Sequence, residues 1–320
     1  MFYTNKKVLV TGGSGFVGTA IVKQLLESGA HVRIPVRNRK PVIVHPNIET
    51  MQADLSIHEE CVKAATGVEY VFHAAGAVAA AAVNATNPMS AITSNLVLTV
   101  RMLEAAWQTG VDRFLLFSSS TAYPAADHAV KEEEMWGGPT YPFYFGYGWM
   151  RRYLERIAEF VGQKSSLKIA LVRPTAVYGP WDNFDSHSGH VIPALIKRAL
   201  EKENPFVVWG TGDEVRDFLF IDDLARGCLT MLEKHACCDP VNIGYGSAVT
   251  IKQIVEIILR ETGHDSAKVS YDSTKPVAIP FRMVDITKSQ KLFKFKPSVS
   301  LEQGLIATIG WYLDSIKKPA

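Results

Sequence analysis

Val10-Thr11-Gly12-Gly13-Ser14-Gly15-Phe16-Val17-Gly18 is the stretch that decides the fold. It follows a short apolar run, Lys7-Val8-Leu9-Val10. It precedes a segment of helical spacing, Thr19 to Ser28, in which Ala20, Ile21, Leu25 and Leu26 share one side. A glycine-rich turn between a strand and a helix is the context in which this pattern binds a dinucleotide. Gly12 permits the tight turn, Gly15 lets backbone approach a pyrophosphate, and Gly18 lets helix and strand pack closely. The helix start adds unpaired N–H groups and the positive end of a dipole.

Strands and helices alternate outward from that turn. His31 to Val36 reads as a second strand and Tyr70-Val71-Phe72 as the start of a third. Arg113 to Phe117 follows the helical stretch Asn95 to Trp107, and Ile169 to Arg173 is a further strand. This order implies an α/β fold over residues 1–178: a Rossmann-type, doubly wound parallel sheet with right-handed crossovers. The alanine-rich run from Tyr70 to Val83 reads as a strand and then a small-residue loop. After Gly179 the texture changes. Val191 to Glu201 reads as a helix and Phe206-Val207-Val208 as a strand. Thr250 to Glu261 is a helix opened by a capping box, Thr250 to Gln253, and Ser300 to Gln303 opens the last helix in the same way. Residues 179–320 are expected to form mainly a smaller α/β substrate lobe, with some strand exchange back to the sheet. Lys131 to Glu134 reads as a solvated loop or a helix start.

Composition excludes some partners. The chain has 320 residues, 47% of them hydrophobic, and a formal charge of +2. That charge gives no bulk electrostatic case for nucleic acid or a membrane surface. No stretch approaches the roughly 20 apolar residues of a membrane span, so a cytoplasmic protein is expected. Cys61, Cys228, Cys237 and Cys238 lack metal-like pairing, and no metal is expected. Adjacent cysteines such as Cys237 and Cys238 rarely bridge, so free thiols are expected.

The end of the second strand reads the cofactor type. A carboxylate there would accept ribose hydroxyls of NAD, but the sequence is Ile34-Pro35-Val36-Arg37-Asn38-Arg39-Lys40. Arg37 is suited to a 2′-phosphate, which favours NADP with NAD the alternative. The competing reading has Arg37 stacking on adenine or facing solvent. Asp54, in Ala53-Asp54-Leu55, is placed for the adenine edge.

Further motifs carry a resemblance. They are Phe72-His73-Ala74-Ala75-Gly76, Phe117-Ser118-Ser119-Ser120-Thr121-Ala122-Tyr123-Pro124, Tyr147-Gly148-Trp149-Met150-Arg151 and Arg173-Pro174-Thr175-Ala176-Val177-Tyr178-Gly179-Pro180. Over nearly its whole length the chain resembles the extended short-chain dehydrogenase/reductases, the NAD-dependent epimerase/dehydratase family, which modify nucleotide sugars. Within it, Gly179-Pro180-Trp181-Asp182-Asn183-Phe184 and His190-Val191-Ile192-Pro193-Ala194-Leu195-Ile196 look most like the GDP-L-fucose synthase branch. So do Val207-Val208-Trp209-Gly210, Arg216-Asp217-Phe218-Leu219 and Asp222-Asp223.

The resemblance implies hydride transfer at a sugar C4 through a bound nicotinamide cofactor. A hydride joining or leaving a carbon that bears oxygen requires a proton partner for that oxygen. The family uses a tyrosine, with a lysine one helical turn later that lowers its pKa and holds the nicotinamide ribose, and a serine on the same oxygen. Tyr147 and Ser119 match, and His190 matches a histidine acid or base. The cofactor is expected along Gly12, Gly15, Phe16, Val17, Gly18, Arg37, Asp54, Leu55, Ala74, Ala75, Ser118, Tyr147, Arg151, Pro174 and Val177. The substrate is expected against Ser119, Ser120, Thr121, Asn183, His190, Val191, Leu195, Val208, Trp209, Arg216 and Arg282. Arg216 is suited to a bidentate pyrophosphate contact. A homodimer paired through the helices around Asn95–Trp107 and Tyr147–Phe160 is implied as well.

The chain departs from the pattern at four places. Arg151 stands where the family has lysine, keeping the charge but presenting a planar fork. Thr121 replaces the cysteine that partners the histidine in epimerisation, and a hydroxyl is a poor base toward a carbon acid. Ala176 stands where asparagine is common. Val277-Ala278 replaces Asp-Gly in the segment around Lys275 to Arg282. The alternatives are a sugar 4-epimerase or 4,6-dehydratase, or a cofactor-binding sensor without turnover. Ser120-Thr121 stand where dehydratases carry Asp-Glu, and Arg151 is the best support for the sensor.

Overall fold

The structure is a computed structural model that describes residues 1–77, 87–185, 190–275, 277 and 279–317. The end of the small-residue loop expected through Val83, and Pro276 and Ala278 of the departing segment, lie outside the described residues.

Seven parallel strands form the main sheet. Their spatial order is Val241–Ile243, Lys168–Pro174, Arg113–Phe117, Tyr70–His73, Lys7–Thr11, His31–Val36 and Ile48–Gln52. The direction of strand addition reverses at Lys7–Thr11, the topological switch of a doubly wound sheet. Alternation along each strand feeds two cores. Val8, Val10, Phe72, Leu115 and Val172 bury into one, shared with Ile21 and Leu25 of the helix Phe16–Glu27 and Leu224 and Cys228 of the helix Ile221–Lys234. Leu9, Val71, Phe114, Leu116 and Leu171 bury into the other, with Cys61 of His58–Ala65, Met102 of Pro88–Gln108 and Leu154 of Phe145–Lys164. Helices cover both faces, as the alternating order requires.

Several elements escaped the sequence reading, among them the strand Ile48–Gln52 and the helices His58–Ala65 and Ile221–Lys234. The strand lies at the sheet edge and none of its residues is fully buried, so it has no apolar face to announce it. The first helix begins at Phe16, immediately after the glycine turn. Lys131 to Glu134 opens a short 3-10 helix, Glu132–Trp136, but Glu132 is buried rather than solvated and accepts the Asn242 N–H at 2.8 Å.

Three strand pairings join the early and late parts of the chain among the described residues. Val241–Ile243 joins the main sheet beside Lys168–Pro174. Ala129–Val130 pairs with Phe281–Val284 in a four-stranded sheet that also holds Val215–Arg216 and Val249–Thr250. Phe206–Trp209 pairs with Val269–Asp272, and Ala176–Tyr178 with Phe218–Phe220. The capping box at Thr250 is formed, with the Gln253 N–H reaching Thr250 Oγ1 at 3.2 Å and the Thr250 N–H reaching Gln253 Oε1 at 2.9 Å. Ser300 and Gln303 make the same exchange before the helix Leu301–Lys317. Arg173 and Glu155 form a buried two-pronged ion pair at 2.9 and 2.7 Å, so removing either partner would cost about 3–5 kcal/mol. All four cysteines are free, and no helix among the described residues is long and apolar enough to cross a membrane.

Candidate active site

The parallel strands end on one edge, and the residues singled out from sequence sit just beyond those ends. Gly12 follows Thr11, Ala74 follows His73, Ser118 follows Phe117, and Pro174 ends its strand. Gly12 has a φ of +68°, and a Cβ there would lie 2.8 Å from Ala74 and Ala75 backbone atoms. A Cβ on Gly18 would meet Gly12 O at 2.0 Å. Both glycines are therefore forced by contact, and Gly12 by its turn geometry as well. The Ala75 N–H donates to Thr11 Oγ1 at 3.1 Å, which fixes the facing wall.

These residues fit a dinucleotide. The helix Phe16–Glu27 starts at Gly15 with no side-chain cap and no acidic residue in its first turn. Ser14 Oγ and Ser118 Oγ are buried without a hydrogen-bond partner. Uncapped N–H groups and idle hydroxyls beside a glycine cradle suit a phosphate. Phe16 and Val17 line the helix start at intermediate burial, while Leu55 is buried in the second core. Arg37 is exposed at the end of the second strand, its guanidinium 4.0 Å from Asp54 Oδ2. Asp54 Oδ1 accepts the Ser56 N–H at 2.9 Å and its hydroxyl at 2.8 Å, and these bonds hold its pKa below the usual carboxylate range. His73 lies beneath the cradle between Thr11 Oγ1 at 2.9 Å and Thr99 Oγ1 at 3.2 Å. Burial, and then the charge of Arg151, push its pKa down to about 3, so this imidazole is neutral.

The helix Phe145–Lys164 brings Tyr147 and Arg151 to one face, four residues apart. Arg151 donates to Tyr147 Oη from Nε at 3.1 Å and from Nη2 at 2.6 Å. Its remaining reach goes to Phe117 O at 3.0 Å and to Asn95 Oδ1 at 3.1 Å. The guanidinium is thus committed through all three of its nitrogens, a planar fork that the single nitrogen of a lysine does not present. The same helix packs on the turn Ser120–Ala122, where a Cβ on Gly148 would stand 3.0 Å from Thr121 O. In that turn Ser119 Oγ lies 2.8 Å from Thr121 Oγ1 and caps the Thr121 N–H at 3.2 Å, while Ser120 is buried.

His190 stands at the start of the helix Val191–Leu200, half exposed, with Nδ1 2.9 Å from Asp182 Oδ1. That hydrogen bond raises the histidine pKa against the opposing effect of burial. Asp182 is buried and also accepts the Asn183 N–H at 2.7 Å. Asn183 is exposed and its Oδ1 accepts the Asp185 N–H at 3.0 Å. The flanking aromatics seat this segment on the last helix: Trp181 packs on Trp311, and Phe184 stacks on Tyr312 at 4.1 Å.

In the later part, Arg216 and Arg282 are register partners on adjacent parallel strands. Neither forms an ion pair among the described residues. Arg282 is 6% exposed and gives one N–H to Pro124 O at 3.3 Å, while Nε and Nη2 are buried with no partner. Burial pushes its pKa down to about 10, and the charge of Arg216 adds to the fall. Arg216 reaches Val215 O at 2.8 Å, and burial lowers its pKa too. Tyr144, three residues before Tyr147, lies in electrostatic range of both arginines and of Tyr147. Of the other residues expected at the substrate, Trp209 is exposed and Val191 is 40% exposed, whereas Leu195 and Val208 are buried in the first core. Pro174, at the end of its strand, and Val177, within Ala176–Tyr178, are partly buried.

A family pattern described as NAD dependent epimerase/dehydratase matches residues 8–244. The chain belongs to that family. It is an NAD(P)-dependent enzyme of the epimerase and reductase kind. Among relatives of this family, GDP-L-fucose synthase 1 of Arabidopsis thaliana is 32% identical, over 97% of this chain and 94% of its own. GDP-L-fucose synthase of Escherichia coli strain K12 is 29% identical, over 98% of each. The crystal structure of UDP-glucose 4-epimerase from Thermotoga maritima superposes with a TM-score of 0.86 at 27% identity, covering 97% of this chain and 99% of that one.

Five residues at the site were not assigned roles from sequence: Asn95, Asp182, Tyr144, Arg152 and His73. Asp182 and His73 stood inside quoted motifs, but what each partners was not visible. Asn95 and Arg152 had no signal at all, because their partners are supplied by other elements.

Proposed function

We propose that this enzyme is a nucleotide-sugar reductase or reductase/epimerase resembling GDP-L-fucose synthase, with hydride transfer at the sugar C4. The observation that carries this reading is Arg282, a buried guanidinium with two idle N–H groups beside the like charge of Arg216. Such a pair is costly unless an anion joins it, and a diphosphate has the charge and spacing to do so. A bound nicotinamide cofactor would supply the hydride exchange. Tyr147, held by two N–H groups of Arg151, moves a proton at the C4 oxygen. Ser119 hydrogen-bonds the same oxygen. His190, oriented by Asp182, serves as acid or base toward the neighbouring carbons. Thr121 in place of cysteine favours reduction over epimerisation. A 4-epimerase would interconvert sugars with no net consumption of cofactor, so stoichiometry separates the two. Incubation with GDP-4-keto-6-deoxymannose, and with its UDP and dTDP counterparts, should give NADPH oxidation with at least one. Absence of turnover with all three, alongside tight cofactor binding, would favour a sensor.

The cofactor preference is part of this proposal. Arg37 is exposed and only loosely paired with Asp54, so it is available to a 2′-phosphate. Arg37→Asp should raise the NADPH Kd about tenfold or more and lower that for NADH, read by fluorescence titration. Unchanged affinities would remove Arg37 from that role.

A homodimer is proposed too. Phe145, Trp149, Tyr153 and Phe160 are exposed along one helix, and Met89 and Val97 are exposed on the helix packed beside it. Exposed apolar side chains on two neighbouring helices suit self-association. Light scattering at micromolar concentration should give twice the chain mass, and a monomer would refute it. Cytoplasmic residence is proposed from the free thiols and the reducing cofactor.

A further inference from the structure

Arg151 and Arg152 grip opposite ends of the serine turn. Arg151 Nη1 donates to Phe117 O at 3.0 Å, just before Ser118. Arg152 Nε donates to Ala122 O at 2.8 Å, just after Thr121, and its Nη1 donates to Gly138 O at 2.8 Å. One turn of helix therefore holds the Tyr147 hydroxyl and brackets residues 118–121.

Arg152 is an unusual residue for that place. It is 1% exposed, and its Nη2 is buried without a partner. No carboxylate pairs with it among the described residues. Its guanidinium carbon lies 4.7 Å from the Trp149 ring centroid and 5.5 Å from that of Trp136. These indoles cover the charge and recover part of its solvation through cation–π attraction. Burial still lowers its pKa. A side chain that only filled space would be aliphatic and would avoid that cost.

The turn's own bonds do not tie it to the helix. Ala122 N–H reaches Ser119 O at 3.2 Å and Tyr123 N–H reaches Ser120 O at 3.3 Å, both within the turn. Ser118 N–H donates to Val172 O at 2.7 Å and Tyr123 Oη donates to Asn242 Oδ1 at 2.7 Å, both toward the sheet. At the rear of the turn, among the described residues, the hydrogen bond that reaches the helix of Tyr147 comes from Arg152.

We propose that Arg152 is a positioning residue, locking the Ser118–Thr121 turn against the helix of Tyr147 so that the Ser119 and Tyr147 hydroxyls keep one relative placement. This rests on the reading above that both hydroxyls serve one substrate oxygen. Displacement of a reacting group by about 1 Å can cost about a hundredfold in rate.

The test uses the full-length enzyme with NADPH bound and three variants, Arg152→Leu, Arg152→Lys and Ser119→Ala. Hydrogen–deuterium exchange of residues 118–123 should accelerate at least tenfold in Arg152→Leu and less in Arg152→Lys. With GDP-4-keto-6-deoxymannose, Arg152→Leu should lower kcat about ten- to a hundredfold while KM and the NADPH Kd stay within about twofold. Arg152→Lys should recover part of the rate. In the Ser119→Ala background, Arg152→Leu should add no more than about twofold, because its effect runs through that serine. Unchanged exchange in Arg152→Leu, or a fully additive loss of kcat with Ser119→Ala, would overturn the proposal. If Ser119→Ala leaves kcat intact, the role given to Ser119 fails, and the exchange measurement still decides whether Arg152 holds the turn. Should Arg152→Leu fail to fold, Arg152→Lys carries the same comparisons.

Discussion

Tyr147→Phe is expected to lower kcat about a hundred- to ten-thousandfold while the NADPH Kd stays within about twofold. The substitution deletes one oxygen and leaves the ring, which lies 5.0 Å from the Arg151 guanidinium carbon. Arg151 would keep its bonds to Phe117 O and Asn95 Oδ1, so the helix and the cradle should hold their places. Two N–H groups lose their acceptor, and an unsatisfied buried donor costs about 1–3 kcal/mol. A modest fall in Tm should therefore accompany the loss of rate. Single-turnover oxidation of NADPH, followed by its absorbance, separates chemistry from binding. Full activity would move the proton path away from Tyr147, with His190 and Asp182 the next candidates. Arg151→Lys sharpens the result. It keeps the charge and discards the fork that reaches Tyr147, Phe117 and Asn95 together, so a gain in rate would mark the arginine as a specialisation for holding rather than for chemistry.

Arg282→Leu is expected to raise KM for a nucleotide sugar about a hundredfold or more, and at the same time to raise the Tm of the ligand-free protein. The two effects have one cause. In the free protein Arg282 is a buried charge with two unpaired N–H groups beside Arg216. Replacing an uncompensated buried charge with an apolar side chain relieves desolvation and like-charge repulsion. With substrate present, the same N–H groups would meet phosphate oxygens, and charge-assisted hydrogen bonds are worth about 1.5–3 kcal/mol each. Two such bonds account for the expected loss of affinity. Thermal melts with and without GDP would show the crossover: the variant melts higher alone, and added GDP stabilises only the parent. A variant that melts lower alone, with an unchanged KM, would make Arg282 a structural residue and remove the main support for a diphosphate substrate.

The sequence by itself determined what depends on neighbours in the chain. A strand, a glycine turn and an apolar helical stripe are each local, so the dinucleotide cradle and the parallel sheet were readable from Lys7 to Ser28 and from the alternating strands and helices that follow. Tyr147 and Arg151 were readable as a pair because the family resemblance marked them, and four residues is about one helical turn. The capping boxes at Thr250 and Ser300 were readable for the same reason. Where local patterning was weak, the reading missed elements, as at the polar edge strand Ile48–Gln52.

Only the tertiary structure decided the partners. Asn95 meets Arg151 across 56 residues, and Asp182 meets His190 across 8, a separation that no local period announces. Arg216 and Arg282 become neighbours because their strands pair in parallel. Glu132, expected in solvent, is buried because its carboxylate satisfies the Asn242 N–H on a strand added late in the chain. Leu195 and Val208 turn into the core, while Trp209, one residue on, is exposed at the strand end. Local sequence sets which face of an element is apolar. Which other element covers that face, and which charge is left buried there without a partner, follows from how distant strands pair.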